Sequence, residues 1–308
     1  MQPLVSLLSL LLFSSSSGVL STTFSVTNNC GFTIWPGVLS NAGSAPLATT
    51  GFALAPGDSR TFDAPVPWSG RIWARTLCSA DPATGLFSCT TGDCGSGALE
   101  CHGGGAAPPA TLAEFTLGGA AAGDTDFFDV SLVDGYNLPV LLAPQGGAGA
   151  DRCLATGCPV DVNGLCPPEL RVVGSGGQTV ACRSACEAFR TARYCCSGEF
   201  GTPNACGPTA YSQLFKNACP RAYSYAYDDA TSTFTCPTAA TGGYTVTFCP
   251  GTASSKTKGN DKNNPEAVNM APAVNNNAGM VFFGSTANEG RSRSWPPLLS
   301  LLWFYLLF

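Results

Sequence analysis

Histidine is almost absent: His102 is the single one in 308 residues. A Ser/His/Asp triad would have to be built on a residue set between Cys101 and Gly103, where a loop role is the simpler reading. Zinc sites commonly mix Cys with His at C-x2-C spacing. No such pair recurs, so neither a metal nor another cofactor is expected. Basic charge is also scarce, with 15 Lys and Arg against 20 Asp and Glu, a net charge of −5. The segment 22–250 carries −7 of this and the remaining segments +2. That balance argues against nucleic acid and against direct attraction to anionic lipid. It suits cationic or neutral partners such as sugars. The run Gly103, Gly104, Gly105 precedes no helical pattern and has no P-loop lysine, so phosphate binding is not expected. No N-x-S/T sequon occurs, no internal repeat is visible, and no apolar run reaches the roughly 20 residues of a spanning helix.

What the chain does have is cysteine, 16 of them, all between Cys30 and Cys249. A reducing compartment would leave most of these thiols unpaired, so export and disulfides go together. The N-terminus agrees. Residues 4–13 are an apolar run followed by small residues, a secretory signal too short to span a bilayer. Cleavage is expected after Ser21, with Val19 and Ser21 as the small residues of the site, giving a signal peptide over 1–21. At the other end, "WPPLLSLLWFYLLF" (295–308) is uncharged, short and preceded by the polar "NEGRSRS". Before that lie the small residues Gly284, Ser285, Thr286 and Ala287. Small site, polar spacer and short apolar terminus make a glycosylphosphatidylinositol attachment signal over 285–308. Ser285 is the expected attachment residue and Gly284 the second choice; a short tail anchor is the alternative. Residues 251–284, rich in Asn, Ala, Gly, Ser and Lys and free of cysteine, read as a flexible stalk.

Within 22–250, stretches of period two dominate: "TFSVTN", "FTIW", "RIWARTL", "TLAEFTL", "DFFDVSLV" and "YTVTFC". Gly and Pro punctuate them, so the fold class is mainly β, a sandwich or barrel. Two short helices are expected. One lies in "ACRSACEAFRTARYCC", with Cys182 and Cys186 four apart on one face, and one in "TAYSQLFKNACP", stopped by Pro220. The cysteine-rich stretches 77–103 and 152–236 lack a dense apolar pattern. Crosslinks must supply what burial does not, each adding ~2–4 kcal/mol, mostly by restricting the unfolded chain. Spacing leaves the pairing open among about two million connectivities.

One cysteine-rich stretch is more specific. Gly85-x-Phe87-x-Cys89-x-Thr91-Gly92-Asp93-Cys94-x2-Gly97-x3-Cys101 resembles the signature of the thaumatin-like proteins, the fifth group of plant pathogenesis-related proteins. "SGRIWARTLC", "PATLAEFTL", "FFDVSLVDGYNLPV", "CPPELRV", "YCCSGEFGTPNACGPTAYSQLFKNACPRAYSYAYDDATSTFTC" and "YTVTFCP" resemble the family too, in the family's order. The resemblance covers essentially all of 22–250; the stalk and apolar terminus lie outside it. It implies a β-sandwich domain, a disulfide-rich, partly helical second domain and a small stapled loop domain, with a cleft between the first two. It also implies the pairs Cys30 with Cys249, Cys78 with Cys89, Cys94 with Cys101, and Cys153 with Cys236. The remaining implied pairs are Cys158 with Cys219, Cys166 with Cys182, Cys186 with Cys195, and Cys196 with Cys206.

Many family members line the cleft with one Arg, one Glu and three Asp. The matching positions are Arg71, Glu114, Asp129, Asp134 and Asp228, with Asp229 a near-tie for the last. Each has a second reading from its neighbours. Glu114 shares a strand face with Leu112 and Thr116, where a solvated position is equally apt. Asp129 shares one with Phe127, Ser131 and Val133, which is odd for mere solvation. Asp134 precedes Gly135 as in many turns. Asp228 and Asp229 are suited to capping a turn. Arg71, on the face of Trp73 and Arg75, suits an edge strand or an ion pair. Tyr223, Tyr225 and Tyr227 suit stacking on sugar rings, though packing is their commoner fate.

Carboxylates gathered around one Arg resist joint ionisation, which raises one pKa while the Arg lowers another. Glycoside hydrolysis uses that split, with carboxyls ~5–5.5 Å apart for retention and roughly 6.5–9.5 Å for inversion. Glu114 as general acid and Asp129 as its partner is the resulting assignment. The resemblance implies a secreted or cell-surface, antifungal defence protein, expected as a monomer, whose cleft binds β-1,3-glucan or another cell-wall polysaccharide. The alternatives are an active endo-β-1,3-glucanase and a protein-binding module such as a hydrolase inhibitor. The expected location is the extracellular face of the plasma membrane, through the lipid anchor only, or the apoplast.

Overall fold

The computed structural model describes residues 21–119, 121–146 and 153–251. The expected signal segment 1–21, apart from Ser21, lies outside the described residues. So do the expected stalk 251–284, apart from Gly251, and the attachment segment 285–308 with Ser285. Among the described residues no helix is long and apolar enough to cross a membrane.

The strands in chain order are β1 (Ser21–Asn28), β2 (Trp35–Ser40), β3 (Ser59–Pro65), β4 (Ser69–Ala80), β5 (Phe87–Thr91), β6 (Leu112–Thr116) and β7 (Thr125–Ser131). They continue as β8 (Val140–Gly146), β9 (Thr156–Cys158), β10 (Arg171–Val173), β11 (Thr179–Cys182), β12 (Phe234–Pro237) and β13 (Thr241–Phe248). A five-stranded sheet has the order β3-β1-β13-β8-β9 and a six-stranded sheet the order β12-β7-β6-β4-β2, with β5 added to β4. In the first sheet β1 and β13 run parallel, from Thr23 opposite Gly243 to Asn28 opposite Phe248, while every other named strand pair is antiparallel.

Period-two alternation turns one side of each sheet inward, and the two inner sides make the core. Val26 and Phe24 come from β1, Val246 and Tyr244 from β13, Phe115 from β6, and Phe128 and Val130 from β7, all buried. The Phe24 ring meets Phe115 at 4.7 Å and Trp68 at 5.6 Å between centroids, both edge-on, the arrangement the ring quadrupoles favour. The buried Asp126 carboxylate accepts from Tyr244 Oη (2.8 Å), Thr238 Oγ1 (2.7 Å) and the Gly118 N–H (2.9 Å). Its polarity is therefore satisfied inside an apolar layer.

The outer face of the six-stranded sheet is covered at one end by the stapled loop. Trp73 of β4 and Leu112 of β6 bury there against Cys101 and Ala110. Bridges Cys78–Cys89 and Cys94–Cys101 close loops of 11 and 7 residues. The buried Arg75 donates to the carbonyls of Trp35 (3.0 Å) and Leu99 (2.6 Å), joining β2 to this loop. Asp93 is the loop's internal cap, accepting from the N–H groups of Cys89 and Gly95, both at 2.6 Å. A segment too glycine-rich to bury itself is thus ordered by covalent, charge-assisted and backbone bonds.

The remaining cysteines staple the partly helical region, with bridges Cys153–Cys236, Cys158–Cys219, Cys166–Cys182, Cys186–Cys195 and Cys196–Cys206. With Cys30–Cys249 and the two bridges of the stapled loop, these make up the eight pairs that the resemblance implies, and no described cysteine is free. Its helices are α1 (Ala185–Phe189), α2 (Ala192–Cys195), α3 (Ala210–Ala218) and α4 (Asp229–Ser232). The single helix expected around Cys182 and Cys186 is corrected here. Cys182 closes β11, and the chain is helical only from Ala185, where Ser184 Oγ accepts from the Glu187 N–H. Arg190 at φ 50 ends α1 in the left-handed conformation, and α2 starts afresh after Thr191. The helix in "TAYSQLFKNACP" is present as α3, opened by a reciprocal cap between Thr209 and Ser212.

Candidate functional site

The outer face of the six-stranded sheet carries a row of polar residues beside the stapled loop. Arg71 on β4 stands directly opposite Glu114 on β6, and Glu114 directly opposite Asp129 on β7. Direct antiparallel pairing puts neighbouring Cβ atoms about 4.5–5.5 Å apart on one face. Strand parity decides which face: Ile72, Ala113, Phe128 and Val130 point inward and are buried, so their neighbours in sequence point outward. Arg71, Glu114 and Asp129 are each half-buried. Arg71 lies on an interior strand, between β6 and β2, and not on an edge.

Asp134 extends the row from the turn after β7. Its carbonyl accepts from the Ala110 N–H (3.1 Å), and the Gly135 N–H donates to Leu132 O (3.0 Å). Gly135 has φ +88, and a Cβ on it would meet Pro109 Cβ at 2.6 Å and Cys182 O at 2.7 Å. Only glycine permits this turn, which sets Asp134 at the end of the row. Glu187, at the start of α1, faces Asp134 closely enough to raise its pKa.

Asp228 and Asp229 part company. Asp228 Oδ2 pairs with Lys216 Nζ at 2.9 Å and accepts from the Ser224 N–H (3.0 Å) and Oγ (2.9 Å), a pairing that fixes the turn into α4. Asp229 accepts from Tyr223 Oη at 2.9 Å, and its charge is the one that reaches Asp129. Asp228 is thus committed to Lys216 and the turn, while Asp229 is the member of the pair whose charge adds to the rise at Asp129. Tyr223 also bonds Thr233, which commits its hydroxyl, whereas Tyr225 lines a cavity with Asp134 and Glu187.

The electrostatics follow from this crowding. Burial pushes the Glu114 carboxyl up to about 7; Arg71 pulls it down and Asp134 pushes it further up. Burial lifts Asp129 well above the ordinary carboxylate range, and the charges of Glu114 and Asp229 add to the rise. Burial also raises Asp134, with Arg71 opposing and Glu187 adding. Asp129 Oδ1 is buried without a hydrogen-bond partner among the described residues. Three adjacent carboxyls, all with raised pKa values, give a line able both to donate and to accept around one guanidinium. Such a line matches neutral polyhydroxyl ligands, which need both.

Among the described residues no group of three or more His, Cys, Asp and Glu side chains has the geometry to hold a metal ion. Sequence reasoning missed Glu187, although the pattern Ser184-x-x-Glu187 is a helix-start signal that marks both this residue and the true start of α1. His102 has φ 48, and its N–H donates to Thr50 Oγ1 at 3.1 Å, a loop position outside the row.

The family model described as "Thaumatin family" matches residues 28–250. "Thaumatin-like protein 1" of Arabidopsis thaliana is 58% identical over 231 residues, covering 74% of this chain and 86% of that protein. "Pathogenesis-related thaumatin-like protein 3.5" of Cryptomeria japonica is 55% identical over 230 residues, covering 75% and 90%. A Prunus avium protein named "Glucan endo-1,3-beta-glucosidase" is 53% identical over 253 residues, covering 81% of this chain and all of that protein. With eight disulfides and a mainly β body around this row, the chain belongs to the thaumatin family.

Proposed function

We propose that this is a secreted or cell-surface defence protein whose acidic cleft binds β-1,3-glucan of fungal walls. The observation that carries the reading is the register that sets Arg71, Glu114 and Asp129 side by side across three strands, with Asp134 continuing the row. Neutral sugars bring hydroxyls that both donate and accept, and the partly protonated row does the same. The Prunus avium relative, by its name, acts on 1,3-β-glucan, which supports the choice of ligand class.

Hydrolysis is the second reading. Glu114, with its pKa near 7, is suited to be a general acid. Direct cross-strand pairing with Asp129 resembles the short carboxyl separation of retaining enzymes, about 5–5.5 Å. Against it, Asp129 is shifted in the same upward direction, by burial and then by the charges of Glu114 and Asp229, which disfavours the ionised form a nucleophile needs. Binding is therefore the first expectation. On the 22–250 body, laminarin is expected to bind without release of reducing ends. Replacing both Glu114 and Asp129 by Ala should weaken binding roughly tenfold, the loss of two net hydrogen bonds. Reducing-end release that Glu114→Gln abolishes would establish the enzyme instead. Unchanged binding in the double variant would place glucan recognition outside the row, and a wild type that does not bind laminarin would favour a protein-binding module.

The layout proposed for the chain is a signal peptide over 1–21, the 22–250 body, a stalk to 284 and lipid attachment at Ser285. A phosphatidylinositol-specific phospholipase should then release the protein from cell membranes into the soluble fraction. Retention after treatment would favour the short tail anchor.

A further inference from the structure

We infer that the bridge Cys186–Cys195 is a thiol-exchange site, opened by a dithiol, and that opening it loosens the helical wall at the Asp134 end of the acidic row. Only the second part rests on the glucan reading above.

Among the described residues two bridges have both cysteines half-buried, Cys78–Cys89 and Cys186–Cys195. Cys94 is half-buried but its partner Cys101 is buried, and in the other five bridges both ends are buried. An attacking thiolate must reach a sulfur, so a buried bridge opens only when the fold does. The two accessible bridges differ in what else holds their ends. Cys78 stands directly opposite Cys89 in the β4–β5 ladder, with Thr76–Thr91, Ser79–Ser88 and Ala80–Phe87 paired around them. Reduced thiols there stay side by side and close again. Cys186–Cys195 joins α1 to α2, helices of 5 and 4 residues with separate starts at Ser184 and Thr191. Helices this short have little stability of their own. Among the described residues no backbone hydrogen bond runs from one to the other. The Phe189 and Tyr194 rings meet at 5.5 Å between centroids, a far weaker tie than a covalent one.

Access and chemistry coincide at this bridge. Cys186 and Cys195 line a cavity of about 90 Å³ with Arg193 in the same wall. A nearby cation favours thiolate over thiol, and the more acidic thiol leaves faster. Arg193 is close in sequence to Cys195, whereas the neighbour of Cys186 is the acidic Glu187. The dithiol therefore attacks Cys186 Sγ: a new S–S bond forms there, the old one breaks, and Cys195 leaves as the thiolate. The second thiolate of the dithiol then displaces Cys186. Two electrons pass from the dithiol, which ends as its own disulfide, to the bridge, which ends as two thiols carrying the protons the dithiol gave up.

The same cavity reaches the row. Asp134 and Glu187 are in its wall, and Glu187 sits in the first turn of α1, directly after Cys186. The bridge holds α1, and α1 holds Glu187 near Asp134. With the bridge open, α1 is free to swing out, and the row loses the wall at that end.

The test exposes the folded protein to dithiothreitol at about pH 8 without denaturant, blocks new thiols with iodoacetamide at intervals and maps the alkylated cysteines by mass spectrometry. Cys186 and Cys195 are expected to label first, about tenfold faster than any bridge with buried ends. Labelling first at any other pair, or at all pairs together, overturns the exchange site, and this readout needs no variant. For the second part, Cys186→Ser/Cys195→Ser, its fold checked by circular dichroism and thermal midpoint, is expected to bind laminarin about fivefold more weakly than wild type, the loss of one net hydrogen bond. Unchanged affinity overturns the loosening of the wall. Should the variant fail to fold, wild type alkylated only at this pair takes its place. A wild type that binds no laminarin overturns the glucan reading and the second part with it, while the labelling order still decides the first.

Discussion

Glu114→Gln is expected to raise the protein's stability at pH 7.5 by about 2 kcal/mol, a melting shift of about 4–8 °C, and to leave it unchanged at pH 4. Burial holds the Glu114 pKa near 7 in the folded state, against about 4.3 in an unfolded chain. The folded protein thus binds this proton more tightly than the unfolded one. The stabilisation is complete below pH ~4 and is lost as pH rises through about 7, because ionising the recessed carboxyl then costs folding free energy. The full shift would correspond to about 4 kcal/mol, and the solvent still reaching this half-buried group reduces it. Gln keeps the shape and removes the ionisation. Asp129 and Asp134 are shifted in the same direction, so Asp129→Asn should behave alike. Glu100 works oppositely. Burial acts to raise its pKa, yet bonds from Thr50, Thr49 and the Gly51 N–H outweigh it and the net shift is downward. Its contribution is present above the ordinary carboxylate range and is lost as pH falls below it. Wild type should accordingly melt highest in mildly acidic solution, near pH 5. Melting curves across pH 3–8 for wild type and Glu114→Gln check this; parallel curves would show that Glu114 titrates as a solvated residue.

The largest loss from any single bridge is expected on removing Cys30–Cys249. It closes the longest loop, 219 residues, against 7 for Cys94–Cys101. Loop-closure entropy gives about 5 kcal/mol for the first and roughly 2–3 kcal/mol for the second. Bridges nested inside the long loop shorten its effective length, which brings the first to about 4–5 kcal/mol. Denaturant midpoints of the Cys30→Ala/Cys249→Ala and Cys94→Ala/Cys101→Ala proteins make the comparison. Equal losses would mean that native contacts at the bridges, and not loop length, set their worth.

Much of the sandwich was legible because alternation is local. "TLAEFTL" contains β6, "DFFDVSLV" covers β7 from its second residue, and "YTVTFC" lies in β13 and just past its end. Face parity also told that Glu114 keeps company with Leu112 and Thr116. β8 escaped because "VLLAPQG" does not alternate; it gains its place by pairing with β13, about a hundred residues away. "FTIW" was read one turn early: only Trp35 belongs to β2, while Ile34 makes an isolated bridge to Leu54. That Asp228 and not Asp229 takes the ion pair was beyond sequence, because α3 brings Lys216 to the same turn. Cysteine spacing left the pairings open, and only the family resemblance supplied them. The row itself is a matter of register: nothing within either strand says that Arg71 meets Glu114, 43 positions on.

The parallel contact between β1 and β13 joins the earliest and latest parts of the body, and β13 lies inside its sheet, between β1 and β8. A chain made from its N-terminus must therefore carry β1, paired on one side only with β3, and the lone thiol of Cys30 until nearly the whole body has emerged. For most of biogenesis that thiol is open to exchange with the fourteen cysteines that arrive before its own mate. Correct assembly is thus a race between delivery of the last strand and premature oxidation, which makes such a body dependent on disulfide-isomerising help wherever it is produced in quantity.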